Sequence, residues 1–409
     1  VNAILLLIGL LVLSYLGSFL VTGRTVRGAG LPSGVEYVAL GFVLGPHALD
    51  FIGGGTIESF EPVVQVALGW LAFGVGLDFG YAGERRVRAG SLLLGSFGAL
   101  LTGGAVAAAS WLVLRRLHVG APTERWLMAG GIGAACAETT RHAVRWVVER
   151  FQARGPLATF FDELAHADDL FPLLAVAVLF ALEPSRDFVA RMPLREWPAV
   201  TIGIGLVLGA GVALLVRSEL RLEDTWGVLF GVCLIAIGTS ARLALSTLTA
   251  SFFMGIAVST LSRHGRELRA MVAPTERPVL LPALVLAGAH LDFRASAALP
   301  WLAAAAIGAR LAAKIVVGWI AAIASRPARK AGPFVGLSLV SSGALAISIG
   351  LAFALRFPGA VGDTVLGVAA ITATFGEFVG PVRLRRALQA AGEIETGGAG
   401  SSPTEGATA

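Results

Sequence analysis

The feature that most constrains this chain is its succession of apolar runs, each about 20 residues long, joined by short arginine-bearing connections. A helix of that length spans the hydrocarbon of a bilayer, where every backbone polar group must be satisfied within the segment. Thirteen such runs are found, at roughly 3–22, 34–51, 62–80, 90–114, 123–146, 157–182, 198–216, 225–241, 246–262, 278–293, 298–324, 333–355 and 362–382. Only 14% of the 409 residues are charged, against roughly 25% in a soluble domain. The expected fold class is therefore an all-α polytopic membrane protein with about 13 transmembrane helices. The apolar start lacks a basic leader and a small-residue cleavage site, so it is read as a retained first span.

A net charge of +5 does not indicate nucleic-acid binding, because the arginines sit in clusters between spans. They concentrate after odd-numbered spans, as in Arg85, Arg86 and Arg88, or Arg263, Arg266, Arg269 and Arg277. By the positive-inside rule the N-terminus faces outward and the C-terminus the cytoplasm. Cys136 and Cys233 lie inside apolar runs and read as small packing residues. No stretch is long and polar enough for a soluble regulatory domain, and the Gly/Ser/Thr-rich segment 389–409 is expected to be a disordered cytoplasmic tail.

An internal repeat is visible. Gly74-Val75-Gly76-Leu77-Asp78-Phe79 closes span 3, and Gly288-Ala289-His290-Leu291-Asp292-Phe293 closes span 10. Gly41 to Gly45 in span 2 echoes Ser251 to Gly255 in span 9, and Thr139-Thr140 in span 5 echoes Ser341-Ser342 in span 12. The shift of seven spans is odd, so the two halves have opposite topology. That is a transporter signature, with the substrate site where the repeats meet near the midplane.

Charges within the spans locate that site. Asp168-Asp169 lie about 17 Å into span 6 at 1.5 Å per residue. An ionised group at the bilayer centre costs at least about 3 kcal/mol, so such groups pair or serve a conduction path. Successive helical residues point about 100° apart, so one carboxylate can hold a counter-charge while the other faces a cavity. Pro172 leaves the carbonyl of Asp168 without its helical partner, which adds a hard oxygen suited to a small cation. Lys314, one of only two lysines among 32 basic residues, lies in span 11 and can lose its proton where arginine cannot. A purely structural ion pair between spans 6 and 11 is the alternative, and Arg310, one turn earlier on the same face, is a rival partner for either aspartate. Thr139-Thr140 and Ser341-Ser342-Gly343 read as hydroxyl-rich breaks where spans 5 and 12 unwind and cross, or as hydroxyls bonding back to the preceding turn. Glu163 and His166 supply one Glu-x-x-His pair where a di-iron bundle needs two. Glu138, Arg141, His142 and Arg145 read as a local ion network, and Asp78 and Asp292 as interfacial residues.

Taken together these residues resemble the cation/proton antiporters of the monovalent cation:proton antiporter-2 type, in particular the bacterial thirteen-span sodium/proton antiporter branch. The resemblance spans the chain to about residue 388. It rests on Leu40 to Pro46, Leu71 to Asp78, Ala167-Asp168-Asp169, the lysine of span 11, and Gly376-Glu377-Phe378-Val379-Gly380-Pro381. It implies an inverted-repeat fold with spans 5 and 12 broken and crossed. It implies a core of spans 4–6 and 11–13 (about 90–182 and 298–382), scaffold and dimer spans at about 3–80 and 225–293, and a linker span at 198–216. The resemblance makes Asp169 the residue that binds cation or proton in turn, Asp168 the partner of Lys314, and the hydroxyls near Thr139 and Thr140 part of the site. Ser341 and Ser342 belong to the crossing, with Glu377 a further candidate.

The implied activity is exchange of Na⁺, or alternatively K⁺ or Li⁺, for H⁺ by a homodimer in the cell membrane, with no cofactor and with electrogenic stoichiometry. An electroneutral potassium/proton exchanger and a sodium-coupled organic-anion symporter are the alternative transporters. An intramembrane aspartyl protease would need its aspartates on two facing helices. Two departures stand out: Arg141 follows the span 5 hydroxyls where relatives often have proline, and Ala344 follows the span 12 glycine where many have an acid.

Overall fold

The computed structural model describes residues 34–79, 81–82, 85–182, 196–216, 222–262, 264–332 and 334–394. The expected first span and residues 395–409 lie outside the described residues. The helices are, in chain order, α1 (Val35–Leu44), α2 (Gly54–Ser59), α3 (Glu61–Asp78), α4 (Ala89–Arg116), α5 (Pro122–Ala135), α6 (Arg141–Arg150), α7 (Pro156–Ala167) and α8 (Leu170–Leu182). They continue with α9 (Trp197–Val216), α10 (Leu222–Arg242), α11 (Thr247–Leu261), α12 (Gly265–His290), α13 (Leu299–Ala324) and α14 (Arg326–Lys330). A 3₁₀ turn (Val335–Leu339), α15 (Ala344–Arg356) and α16 (Ala360–Ala390) complete the chain. Among the described residues seven helical stretches are long and apolar enough to cross a bilayer, and α1, α11 and α15 are shorter apolar helices.

Span 5 divides into α5 and α6 around Cys136–Thr140, and span 12 into the 3₁₀ turn and α15 around Val340–Gly343. Span 6 divides into α7 and α8 at Asp168-Asp169. Pro172 offers no N–H to the carbonyl of Asp168, so the ladder gives way where the two aspartates stand. Three boundaries differ from expectation. Span 2 stops at Leu44, because Pro46 disfavours helical backbone at the residue before it. Span 10 starts at Gly265 rather than near 278 and runs through Pro274, Pro278 and Pro282. Among the polar residues that made 265–277 look like a loop, Arg269 instead carries half-buried ion pairs to Asp78 and Glu276. At the C-terminus, residues 389–394 are docked rather than tail. The last helix runs to Ala390, Ile394 is buried, and the Glu393 carboxylate accepts from the backbone N–H of Leu157 and Ala158 at 2.7 and 2.8 Å.

The helices pack in two groups. One bundle contains α4–α8, α13, α15 and α16; a panel contains α1, α3, α11 and α12, with α9 and α10 packed against α11. Two panel contacts display the inverted repeat directly. A Cβ on Gly41 of α1 would strike the backbone of Val285, and one on Gly288 of α12 would strike that of Val38 and Phe42. In the partner repeat, Gly76 of α3 lies as close to Phe252, and Gly255 of α11 to Phe73 and Leu77. Span 2 thus packs on span 10 as span 9 packs on span 3, which is what exchange of opposite-facing halves requires. Small residues at these crossings let the helix backbones meet without a hydrophobic driving force. Gly288→Val is expected to lower stability by about 1–3 kcal/mol through overpacking, seen as a lower unfolding midpoint in detergent. Gly231→Ala, with open space around the site, should leave the midpoint unchanged or raise it.

Candidate ion-binding site

Where two helices unwind and cross, backbone groups lose their ladder partners, and in an apolar interior each orphan costs several kcal/mol. Here the crossing satisfies itself reciprocally. The N–H of Thr140 donates to the carbonyl of Ser341 at 3.0 Å, and the hydroxyl of Thr139 donates to the carbonyl of Leu339 at 3.1 Å. Arg310, fully buried on α13, reaches into the crossing. Its guanidinium donates to the carbonyls of Cys136, of Glu138 at 2.5 Å, of Val340 at 3.2 Å and of Ser341 at 3.3 Å. One cation therefore caps the carbonyl-bearing ends of both broken helices, where the helix dipole is negative. The opposite charge caps the opposite pole: Glu138 Oε1 accepts from the N–H of Gly343 at 2.6 Å and of Ala346 at 3.2 Å, at the N-terminus of α15. Glu138, expected in a local ion network with Arg141, His142 and Arg145, is instead buried at the crossing.

One turn along α13 from Arg310, Lys314 Nζ lies 3.6 Å from Asp168 Oδ2 and donates to Thr139 Oγ1 at 2.7 Å. All three side chains are buried. The structure thus brings together Asp168, Lys314 and Thr139, and sends Arg310 to backbone carbonyls instead of to an aspartate. Ser341 and Ser342 lie in the span 12 break, with Gly376 and Gly380 of α16 pressed against it. Glu377 is buried on α16 between those glycines.

Asp169 is placed differently from its neighbour. It is half-buried, and among the described residues no hydrogen bond or ion pair engages its carboxylate. It faces a cavity of about 50 Å³ in which the centre of a water molecule fits, enough for a few waters. Its other lining residues include Asp78, Glu138, Thr140, Arg141, His142, His166, Arg269 and Glu276. Asp78, expected at the interface, belongs to this lining. Its Oδ2 is held by Arg141 at 2.9 Å and by Arg269 at 2.9 Å, and its carbonyl contacts His166 Nε2. Arg141 also pairs with Asp162 at 3.1 Å, and Arg269 with Glu276 at 2.9 Å. Local spacing gave no sign of this network, because its members come from α3, α6, α7 and α12. Glu163 takes its bond from the hydroxyl of Ser91 at 2.5 Å, and Asp292 caps the backbone of Arg294. A second, larger cavity of about 440 Å³ lies at the other end of the same seam, lined by Gln65, Phe180, Ile237, Thr247, Leu355 and Arg356 among others.

Crossed, interrupted helices with neutralised ends, buried ionisable pairs and a carboxylate facing a cavity are features of secondary transporters. The model of the family described as sodium/hydrogen exchanger, transmembrane, matches residues 12–389, and the chain belongs to that family. It is accordingly a multi-pass membrane protein of the cation/proton antiporters. Among solved structures it is similar to the sodium proton antiporter MjNhaP1 from Methanocaldococcus jannaschii at pH 8, with TM-score 0.71 and 15% identity over 96% of this chain and 99% of that one. An electron-microscopy map of the same antiporter matches with TM-score 0.65 and 17% identity over the same shares. At such identities the likeness is one of fold. No curated protein sequence matches the chain.

If Glu138 is the cap of α15, Glu138→Ala should lower stability by about 1–2 kcal/mol. Glu138→Gln, which keeps an acceptor oxygen, should retain most of it. Thermal unfolding of the purified protein distinguishes the two.

Proposed function

We propose that the protein exchanges Na⁺ for H⁺ by letting the two compete for Asp169. The observation that carries this reading is the contrast between adjacent carboxylates: Asp168 pairs with Lys314, while Asp169 faces a cavity with no partner among the described residues. A carboxylate in that position gains either a proton or a cation, and each neutralises it. The neutral site can then cross an apolar barrier that the bare charge cannot. The hydroxyl of Thr140 lines the same cavity and supplies an oxygen for a partly dehydrated cation. Ser341 and Ser342 shape the break, and Glu377 supports it from α16.

Movement of the bundle (spans 4–6 and 11–13) against the panel, in the manner of an elevator, accounts for two cavities at opposite ends of one apolar seam. In this reading the protein is a homodimer in the cell membrane, with its N-terminus outside and its C-terminus in the cytoplasm. Two adjacent aspartates, one of them paired with a lysine, favour an electrogenic cycle in which Lys314 carries one of the protons. An organic anion as cargo fits poorly, because the cavity at Asp169 holds only a few waters and the unpaired Asp169 carboxylate in it repels an anion.

In liposomes loaded with a pH-sensitive dye, Asp169→Asn should lose cation-driven proton flux by more than a hundredfold while remaining monodisperse. Wild-type exchange in that variant would remove the reading. Running wild type with Na⁺, Li⁺ and K⁺ in turn, with and without an imposed voltage, tests the cation and the electrogenicity. A rate indifferent to voltage and specific for K⁺ would replace the proposal by the electroneutral potassium exchanger.

A further inference from the structure

Bundle and panel meet mainly through apolar side chains such as Leu71 and Phe252 against Leu173 and Leu345. Among the described residues two ion pairs cross between them, one at each end of the seam. His290 Nε2 lies 3.4 Å from Asp363 Oδ1 at one end, and Arg141 Nη1 lies 2.9 Å from Asp78 Oδ2 at the other. The second stands in the wall of the cavity that holds Asp169. Arg141 follows directly on the Thr139-Thr140 break.

The partners behind this pair set it apart from a fixed staple. Opening a buried ion pair is costly chiefly when it strands an uncompensated charge. Here neither charge would be stranded. Arg141 stays tied to its own bundle by Asp162 at 3.1 Å, and Asp78 stays tied to its own panel by Arg269 at 2.9 Å. Each half of the contact is neutralised from behind, so the contact between them can break and re-form at low cost.

We propose that Asp78 and Arg141 form a breakable catch between panel and bundle, closed while Asp169 faces the smaller cavity and open once the bundle has moved to serve the larger one. The proposal rests on the exchange reading above and adds the contact that sets the balance between its two states. Arg141 is a positioning residue in this account: it acts on where the site faces and leaves cation ligation to Asp169. Losing the catch depopulates the state with Asp169 at the smaller cavity. The apparent affinity for a cation offered to that face falls by the same factor as the population.

The test joins Asp78→Cys and Arg141→Cys in the reconstituted full chain with a short bis-methanethiosulfonate linker, cleavable by dithiothreitol. Native Cys136 and Cys233 are buried, and proteins carrying only one of the two introduced cysteines serve as controls for them. Exchange should fall at least tenfold on linking and recover on reduction, with the controls unaffected. Undiminished exchange by the linked protein overturns the catch, and so does failure of the link to form, since the two positions would then not face each other. Independently, Asp78→Asn and Arg141→Gln should each raise the KM for Na⁺ on that face threefold or more, with the double variant no worse than the worse single. Additive effects overturn the proposal. A wild-type protein that exchanges no cation removes the exchange reading itself, which is a separate result from exchange that survives linking.

Discussion

Four carbonyl oxygens and one guanidinium make the crossing of spans 5 and 12 possible. Cys136, Glu138, Val340 and Ser341 have turned their carbonyls away from any helical ladder, in the one environment where water cannot reach them. Arg310 meets all four. Its planar fork of donors suits several fixed acceptors at once, which the single ammonium of a lysine does not. Glu138 complements it by closing the N–H end of α15. With these two residues in place the unwound segments are satisfied, and Thr139, Thr140, Ser341 and Ser342 stand together at the crossing.

The rest of the site follows from that scaffold. Lys314 shares a helix face with Arg310, one turn away, so bracing the crossing also delivers the ammonium to Asp168 and to the Thr139 hydroxyl. Asp169, the next residue, points elsewhere because the chain turns between α7 and α8, and it faces the smaller cavity. The charge pattern is graded: fully compensated behind, at Asp168 and Lys314, and open in front. Around the cavity mouth Asp78, Asp162 and Glu276 are matched by Arg141, Arg145 and Arg269. The surroundings of Asp169 are thus close to neutral, and its own charge is the one that a proton or cation can satisfy.

Much of this was legible in the chain before folding, and the reasons are specific. Asp168-Asp169 and Lys314 stood out because a charge in an apolar run must have a purpose. The span 5 and span 12 breaks stood out because hydroxyl pairs interrupt otherwise apolar helices at corresponding places in two repeats. Arg310 was visible as a buried cation and a rival to Lys314 for the aspartates; the backbone carbonyls it meets instead, released by unwinding, leave no trace in a sequence. Asp78 and Glu138 were discounted for a related reason. Each sits at the end of an apolar run, where an acid at the membrane surface and an acid at a buried crossing have the same local pattern. The Arg269 region was read as a loop because its polar residues and Pro274 conceal a helix whose Arg269 pairs with Asp78 of α3.

Hydrophobic length, charge placement and repeat spacing are properties of the chain alone, and the bilayer enforces them. They determined the all-helical, opposite-facing architecture and the aspartates and lysine at its centre. Which carboxylate is paired and which is free, where Arg310 spends its five donors, and how Asp78 comes to meet Arg141 depend on residues brought together from distant spans. Those outcomes are set by packing distance and by the need to satisfy each buried polar group, and only the folded bundle fixes either one.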